Sequence, residues 1–247
     1  MSIKSNAEFE KMRAIGGIVA QALRAMTAQV RPGITTAELN AVGARVLAMH
    51  DARSAPPLVY GFPAEVCISI NDEAMHGIPG ARVIQPGDLV KLDLVAEKDG
   101  FYADAAVSVN VPPVSEHGRD LARCAVRAFH KALDVAQAGS RVYEIGRAVE
   151  HEVRRSGFQV IRELGGHGVG RTIHERPSVP NFADRSARER LTEGLVITIE
   201  PVIAAGNGLA HLENDGWTFR TEDGSLAAHY EHTVVITRGE PVLLTAA

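Results

Sequence analysis

The chain repeats itself, and the repeat limits what it can fold into. PGITTAELNAVGARVL (32–47) lines up with AGSRVYEIGRAVEHEV (138–153), pairing Glu38 with Glu144 and Leu39 with Ile145. GDLVKLD (87–93) lines up with GLVITIE (194–200), pairing Asp93 with Glu200. DAAVSV (104–109) lines up with EHTVVI (231–236), pairing Asp104 with Glu231. The first two matches share a spacing near 106 residues, and the third is wider. Three matches in one order, each setting acid on acid, imply a duplicated α+β half. Only VPPVSEHG (111–118) separates the copies. The expected organisation is therefore one domain over 1–247, with halves of roughly 1–115 and 116–247.

The element pattern agrees with two α+β halves. Residues 7 to 30 have helical periodicity, with Phe9, Met12, Ile15, Val19, Leu23 and Met26 on one face. Arg31-Pro32-Gly33 breaks it, and Thr35 or Thr36 caps a second helix. EVCISIN (65–71) alternates like a strand. Residues 117–137 and 141–156 read as helices. GLVITIEPVI (194–203) reads as one strand. ENDGWTFRTEDGSLAAHYEHTVVI reads as two strands joined by a turn at Glu222-Asp223-Gly224.

Acids inside apolar strands are the chemical oddity. KLDLVAEKDGFYADAAV (91–107) puts Asp93 and Asp104 in the two arms of a hairpin. Side chains alternate faces along a strand. An even loop around Lys98-Asp99-Gly100 would put both carboxylates on one face, and an odd loop would separate them. The repeat predicts the same of Glu200 and Glu231. Four like charges at close range cannot all stay ionised without cations, and two divalent ions supply the balance. Oxygen ligands with imidazole suit a two-metal hydrolase. His167, in GGHGVGR (165–171), is the imidazole candidate, because its glycines allow close backbone approach. His76 and His174 are candidates for handling a substrate carbonyl or leaving amide. The bland alternative is that each acid is a solvated turn or edge residue. His50, His117, His130, His151, His211 and His229 read as surface or packing residues.

The 247 residues carry a net charge of −4, so no basic excess points to nucleic acid or an anionic membrane. The two cysteines, Cys67 and Cys124, form no CxxC pair. The N-terminus is charged and amphipathic rather than signal-like, and no apolar run reaches a membrane span. A reducing cytoplasm is the expected location, with monomer as the default state.

At this point SINDEAMHGIPG, KLDLVAEKDGFYADAAVSV, GGHGVGRTIHERP, ITIEPVI and YEHTVVIT resemble the successive signature blocks of type I methionine aminopeptidases. The resemblance covers almost the whole chain. It implies the pita-bread fold: α+β, two pseudo-symmetric halves with antiparallel sheet around a central dinuclear metal site. It implies five ligands, Asp93, Asp104, His167, Glu200 and Glu231, holding two divalent ions (cobalt, manganese, iron, zinc or nickel). In that scheme Asp104 and Glu231 bridge, Asp93 binds one ion, and His167 with Glu200 binds the other. His76, His174 and Glu200 are then catalytic, with His76, His174, Tyr60, Phe62, Cys67 and Trp217 facing substrate. The implied partners are nascent polypeptide N-termini, at the ribosome. This chain departs from the pattern in its methionine pocket. Pro56 stands for a cysteine, Val59 for a tyrosine and Phe62 for a tyrosine. Ile173 stands for a phenylalanine, and Val95 for a threonine near the metal water. The competing expectations are an aminopeptidase of broader or Xaa-Pro specificity, and a non-catalytic binding protein on the same fold.

Overall fold

The computed structural model describes residues 1–246. The first half runs α1 (Asn6–Thr27), α2 (Thr36–Met49), β1 (Arg53–Ser54), α3 (Ala55–Tyr60), β2 (Cys67–Ile70), β3 (Glu73–Met75), β4 (Leu89–Lys98) and β5 (Phe101–Asn110). The second runs α4 (Glu116–Leu133), α5 (Val142–Arg155), β6 (Gln159–Val160), β7 (Gly165–Gly168), β8 (Glu175–Pro180), β9 (Val196–Ile199) and β10 (Val202–Ala204). It ends with β11 (Ala210–Leu212), β12 (Phe219–Thr221), β13 (Ala227–His229), β14 (Glu231–Val235) and β15 (Val242–Leu243).

The repeated acids at Glu38 and Glu144 are helix-start residues. Glu38 accepts from the Thr35 backbone N–H at 2.8 Å, while Thr35 Oγ1 accepts from Glu38 N–H at 3.1 Å. Glu144 accepts from the Arg141 N–H at 3.3 Å in the other half. Each satisfies donors that the first turn of a helix leaves orphaned.

The central sheet reads β1-β4-β5-β14-β9-β7-β8, with β2 also on β4 and β15 on β14. β4–β5 and β9–β14 are antiparallel pairs, and β5 pairs antiparallel with β14 between them. The order β4-β5-β14-β9 therefore places the matched strands symmetrically about the β5–β14 seam. Met12, Ile15 and Val19 of α1 pack with Leu92 and Leu94 of β4. Leu121 and Phe129 of α4 and Val149 of α5 pack with Ile197 and Ile199 of β9. The α+β pita-bread architecture is thus two helix-backed sheet halves meeting edge to edge.

Two strand expectations need correction. GLVITIEPVI is not one strand: β9 stops at Ile199, and β10 joins a separate sheet with β6 and β13. Pro201 has no N–H to continue the ladder. The stretch around Glu222-Asp223-Gly224 has the expected turn but holds three strands rather than two, β12, β13 and β14. β12 pairs with β3 and β11, whereas β13 pairs with β10. The Asp223 carboxylate accepts from the Asn207 and Ser225 N–H groups, at 2.7 and 3.0 Å, and so turns the chain between sheets.

Candidate metal centre

The β4–β5 hairpin closes through Asp99 and Gly100, at φ 53° and 80°. This two-residue turn with positive φ at both positions is the favoured connection for twisted strands. The loop is even, so the condition for a shared face is met. Asp93 pairs with Ala106, and Val95 with Asp104, making Asp93 and Asp104 diagonal neighbours on one face. Across the seam Glu231 also pairs with Ala106. On the far side of β14, His232 pairs with Ile199, so the register continues to Glu200 opposite Glu231. Cys67 pairs with Asp93. Cys67, Asp93, Ala106, Glu231 and Glu200 thus form one row across the sheet, and the methyl of Ala106 leaves room between acids.

This is a costly place for negative charge. Asp93, Asp104, Glu200 and Glu231 are 9%, 5%, 5% and 1% exposed. Among the described residues, no lysine or arginine forms an ion pair with any of them. Asp104 Oδ1 and Glu231 Oε1 are buried without a hydrogen-bond partner. Burial pushes all four carboxyls above their usual range, and the neighbouring carboxylates push Asp104, Glu200 and Glu231 further. Hard oxygen donors with orphaned lone pairs and no protein cation fit divalent metal ions.

His167 joins them from β7. Its Nε2 lies 3.7 Å from Asp104 Oδ2 and 3.5 Å from Glu200 Oε1. Its Nδ1 lies 2.9 Å from the Gly168 carbonyl, which suits an Nδ1–H donor and leaves Nε2 free to ligate. Burial, then His174, holds its pKa down to about 3, so the ring is neutral at ordinary pH. Thr198 Oγ1 ties the group together, accepting from the His167 N–H at 3.0 Å and donating to Glu200 Oε1 at 2.8 Å. The flanking glycines are needed for approach. A Cβ on Gly166 would stand 2.5 Å from the Thr198 carbonyl oxygen, and one on Gly168 would stand 2.2 Å from that of Arg176.

A cavity of about 250 Å³ opens onto the acids. Phe62, Cys67, Met75, Ile173, Pro56 and Trp217 give it an apolar wall. Phe62 and Trp217 meet edge to face, with centroids 5.2 Å apart. Burial, then Asp93, raises the Cys67 thiol pKa, keeping it neutral. His76 and His174 line the same cavity. His76 sits at φ 57°, uncommon for a residue with a side chain. Its pKa is held down to about 4 by burial and then by His174. His174 stands at the exposed mouth, its Nδ1 2.6 Å from the Tyr60 hydroxyl.

The site differs from the sequence expectation at two places. Val59 does not line the cavity, whereas Tyr60 does as expected, itself 47% exposed at the mouth. The short helix α3 sets which of these adjacent residues faces the cavity mouth. His229 is not a remote packing residue. It is 1% exposed, with Nε2 3.5 Å from Glu231 Oε2 and 3.8 Å from Glu200 Oε2. The signal was available: residues two apart along extended chain share a face, and His229 is two before Glu231. His229 approaches the acids from outside the cavity lining, and His50, His117, His130, His151 and His211 also lie outside that lining.

Comparison with known proteins bears on the whole chain. The profile of Metallopeptidase family M24 matches residues 10–238. Methionine aminopeptidase 2 of Bacillus subtilis is 43% identical, with 99% of each chain covered. Methionine aminopeptidase of Clostridium perfringens is 38% identical over 98% of each. The crystal structure of methionine aminopeptidase from Thermotoga maritima superposes with a TM-score of 0.96 at 34% identity, covering all of both chains. Prolidase from Pyrococcus furiosus shares the fold, with a TM-score of 0.79 at 23% identity; the match spans 65% of that longer chain. A buried row of acids completed by a histidine, in a chain matched over its length, is accounted for by descent: the chain belongs to metallopeptidase family M24.

Proposed function

We propose that this enzyme removes the N-terminal methionine from new polypeptides by hydrolysing their first peptide bond, with preference for a small second residue. One observation carries the reading: an apolar, sulfur-bearing cavity is walled on one side by four buried carboxylates. Asp93, Asp104, His167, Glu200 and Glu231 are the residues that would hold two divalent ions. Cobalt, manganese, iron, zinc and nickel all suit this donor set. When bound, the ions supply Lewis acidity and an acidified water as nucleophile.

The chain's own residues do the rest. The cavity wall of Phe62, Cys67, Met75 and Trp217 accepts a flexible, polarisable thioether. A free α-amine reaches the acidic end, and a blocked or internal methionine has none to place there. Glu200 takes a proton from the attacking water and delivers it to the leaving amine. Burial raises the Tyr60 pKa, so its hydroxyl stays protonated and donates to His174 Nδ1. The His174 proton is thereby fixed on Nε2, where it can donate to the substrate carbonyl oxygen as charge develops. His76, neutral in its burial, contacts the scissile amide.

The proposed setting is the cytoplasm, with a monomer acting on chains as they emerge from the ribosome. Both cysteines are free and buried, and among the described residues no helix is long and apolar enough to cross a membrane. The test is a peptide panel: Met-Ala-Ser, Met-Lys-Ser, Leu-Ala-Ser and Ala-Pro-Ser, with manganese or cobalt and an EDTA-treated control. Methionine release from Met-Ala-Ser alone is expected. Comparable release of leucine would assign a broader specificity, in keeping with Pro56 and Ile173 in the pocket. A single methylene discriminates by only ~1–3 kcal/mol.

A further inference from the structure

We propose that His229 is a sixth protein donor to the metal centre, closing on a cation that Glu200 and Glu231 share. This rests on the metal-centre reading above and extends it by one residue.

The argument begins with spacing. His229 Nε2 lies 3.5 Å from Glu231 Oε2 and 3.8 Å from Glu200 Oε2. An N–H···O hydrogen bond spans about 2.7–3.2 Å, so both separations are too long for one. Two donors bound to one ion at about 2.0–2.2 Å each stand roughly 3–4 Å apart, depending on the bond angle. His167 Nε2 shows the same spacing to Asp104 and Glu200, at 3.7 and 3.5 Å. The two imidazoles face the acids in the same way. Asp104, His167 and Glu231 offer donor atoms mutually within 4.8 Å, and so do Glu200, His229 and Glu231. Glu231 belongs to both trios.

A second, independent observation is the ring's isolation. His229 is 1% exposed, and neither ring nitrogen has a hydrogen-bond partner. A buried polar group without a partner is costly. A satisfied core histidine would bond a carbonyl or hydroxyl, as His232 does with Thr245 and Tyr230. The backbone of His229 is meanwhile held firmly: its N–H donates to Ser108 Oγ at 2.9 Å, and that hydroxyl donates to the His229 carbonyl at 2.8 Å. The residue is fixed in place with its imidazole turned to the acids and bonded to nothing.

The experiment counts imidazole ligands. Proton NMR of the cobalt(II)-loaded protein shifts the exchangeable ring N–H of each coordinated histidine far outside the ordinary window. The wild type should show two such resonances. His167→Gln should remove one and His229→Gln the other, and His229→Gln should weaken one cation by at least about tenfold in calorimetry. A single wild-type resonance, lost in His167→Gln, overturns the proposal and leaves the metal centre standing. This decision needs only the wild type and one variant, so a misfolded His229→Gln would not obscure it. No shifted resonance at all would overturn both the metal centre and this addition.

Discussion

Glu231 sits at the seam between the halves, 1% exposed, with one carboxylate oxygen bonded to nothing. Its role and those of its neighbours separate by substitution. Glu200→Gln keeps the shape but loses both the base and a metal-binding charge, so at saturating metal kcat on Met-Ala-Ser should fall by about 10²–10⁴-fold. Tyr60→Phe should act through His174 alone. Losing that hydrogen bond should lower kcat by roughly tenfold with KM little changed. Steady-state kinetics on both variants distinguishes base from positioning residue, and an unchanged kcat in Tyr60→Phe would remove its proposed part. The acids were legible in the sequence because strand periodicity and the repeat place them without knowledge of any contact. Tyr60 and Val59 were not separable that way. On a helix, adjacent residues point about 100° apart, so the phase of α3 decides, and packing sets that phase.

At the scale of elements, β7 must lie close against β9 for His167 to reach the acids. Gly166 permits this, since a Cβ there would meet the Thr198 carbonyl oxygen at 2.5 Å. Gly166→Ala should destabilise the fold by ~1–3 kcal/mol and loosen metal binding. Gly80→Ala, with nothing within 4 Å of the added carbon, is the control and should be near neutral. Urea unfolding of both variants checks this; equal stability would mean that β7 does not depend on close approach. Helices α1, α2, α4 and α5 were readable from periodicity and caps. The break at Glu200-Pro201 was not read as a change of sheet. A proline shows where a ladder must stop but not which sheet the chain joins next. The β3-β12-β11 sheet rests on pairing between distant short segments, such as Phe219 with Met75, which no local pattern reveals.

At the scale of the molecule, the symmetry that the repeat announced brings two pairs of acids to one seam. We read the two halves as one domain, because the sheet runs unbroken across β5 and β14. The pooled charge has a measurable consequence. The carboxyls have raised pKa values without metal, so near neutral pH the metal-free enzyme holds protons that metal must displace. His167, with its pKa near 3, has none to give. Metal uptake should therefore release protons, and affinity should weaken as pH falls through the raised carboxyl range. Calorimetry in buffers of different ionisation enthalpy reads the number released, and zero release near pH 7 would contradict raised carboxyl pKa values.

The most direct test of the account is to strip the enzyme with EDTA and restore manganese or cobalt stepwise, following methionine release from Met-Ala-Ser. The account predicts no release from the stripped enzyme, recovery complete by about two equivalents, and no recovery in Asp104→Asn. Full activity without metal, or undiminished turnover in Asp104→Asn, would contradict it.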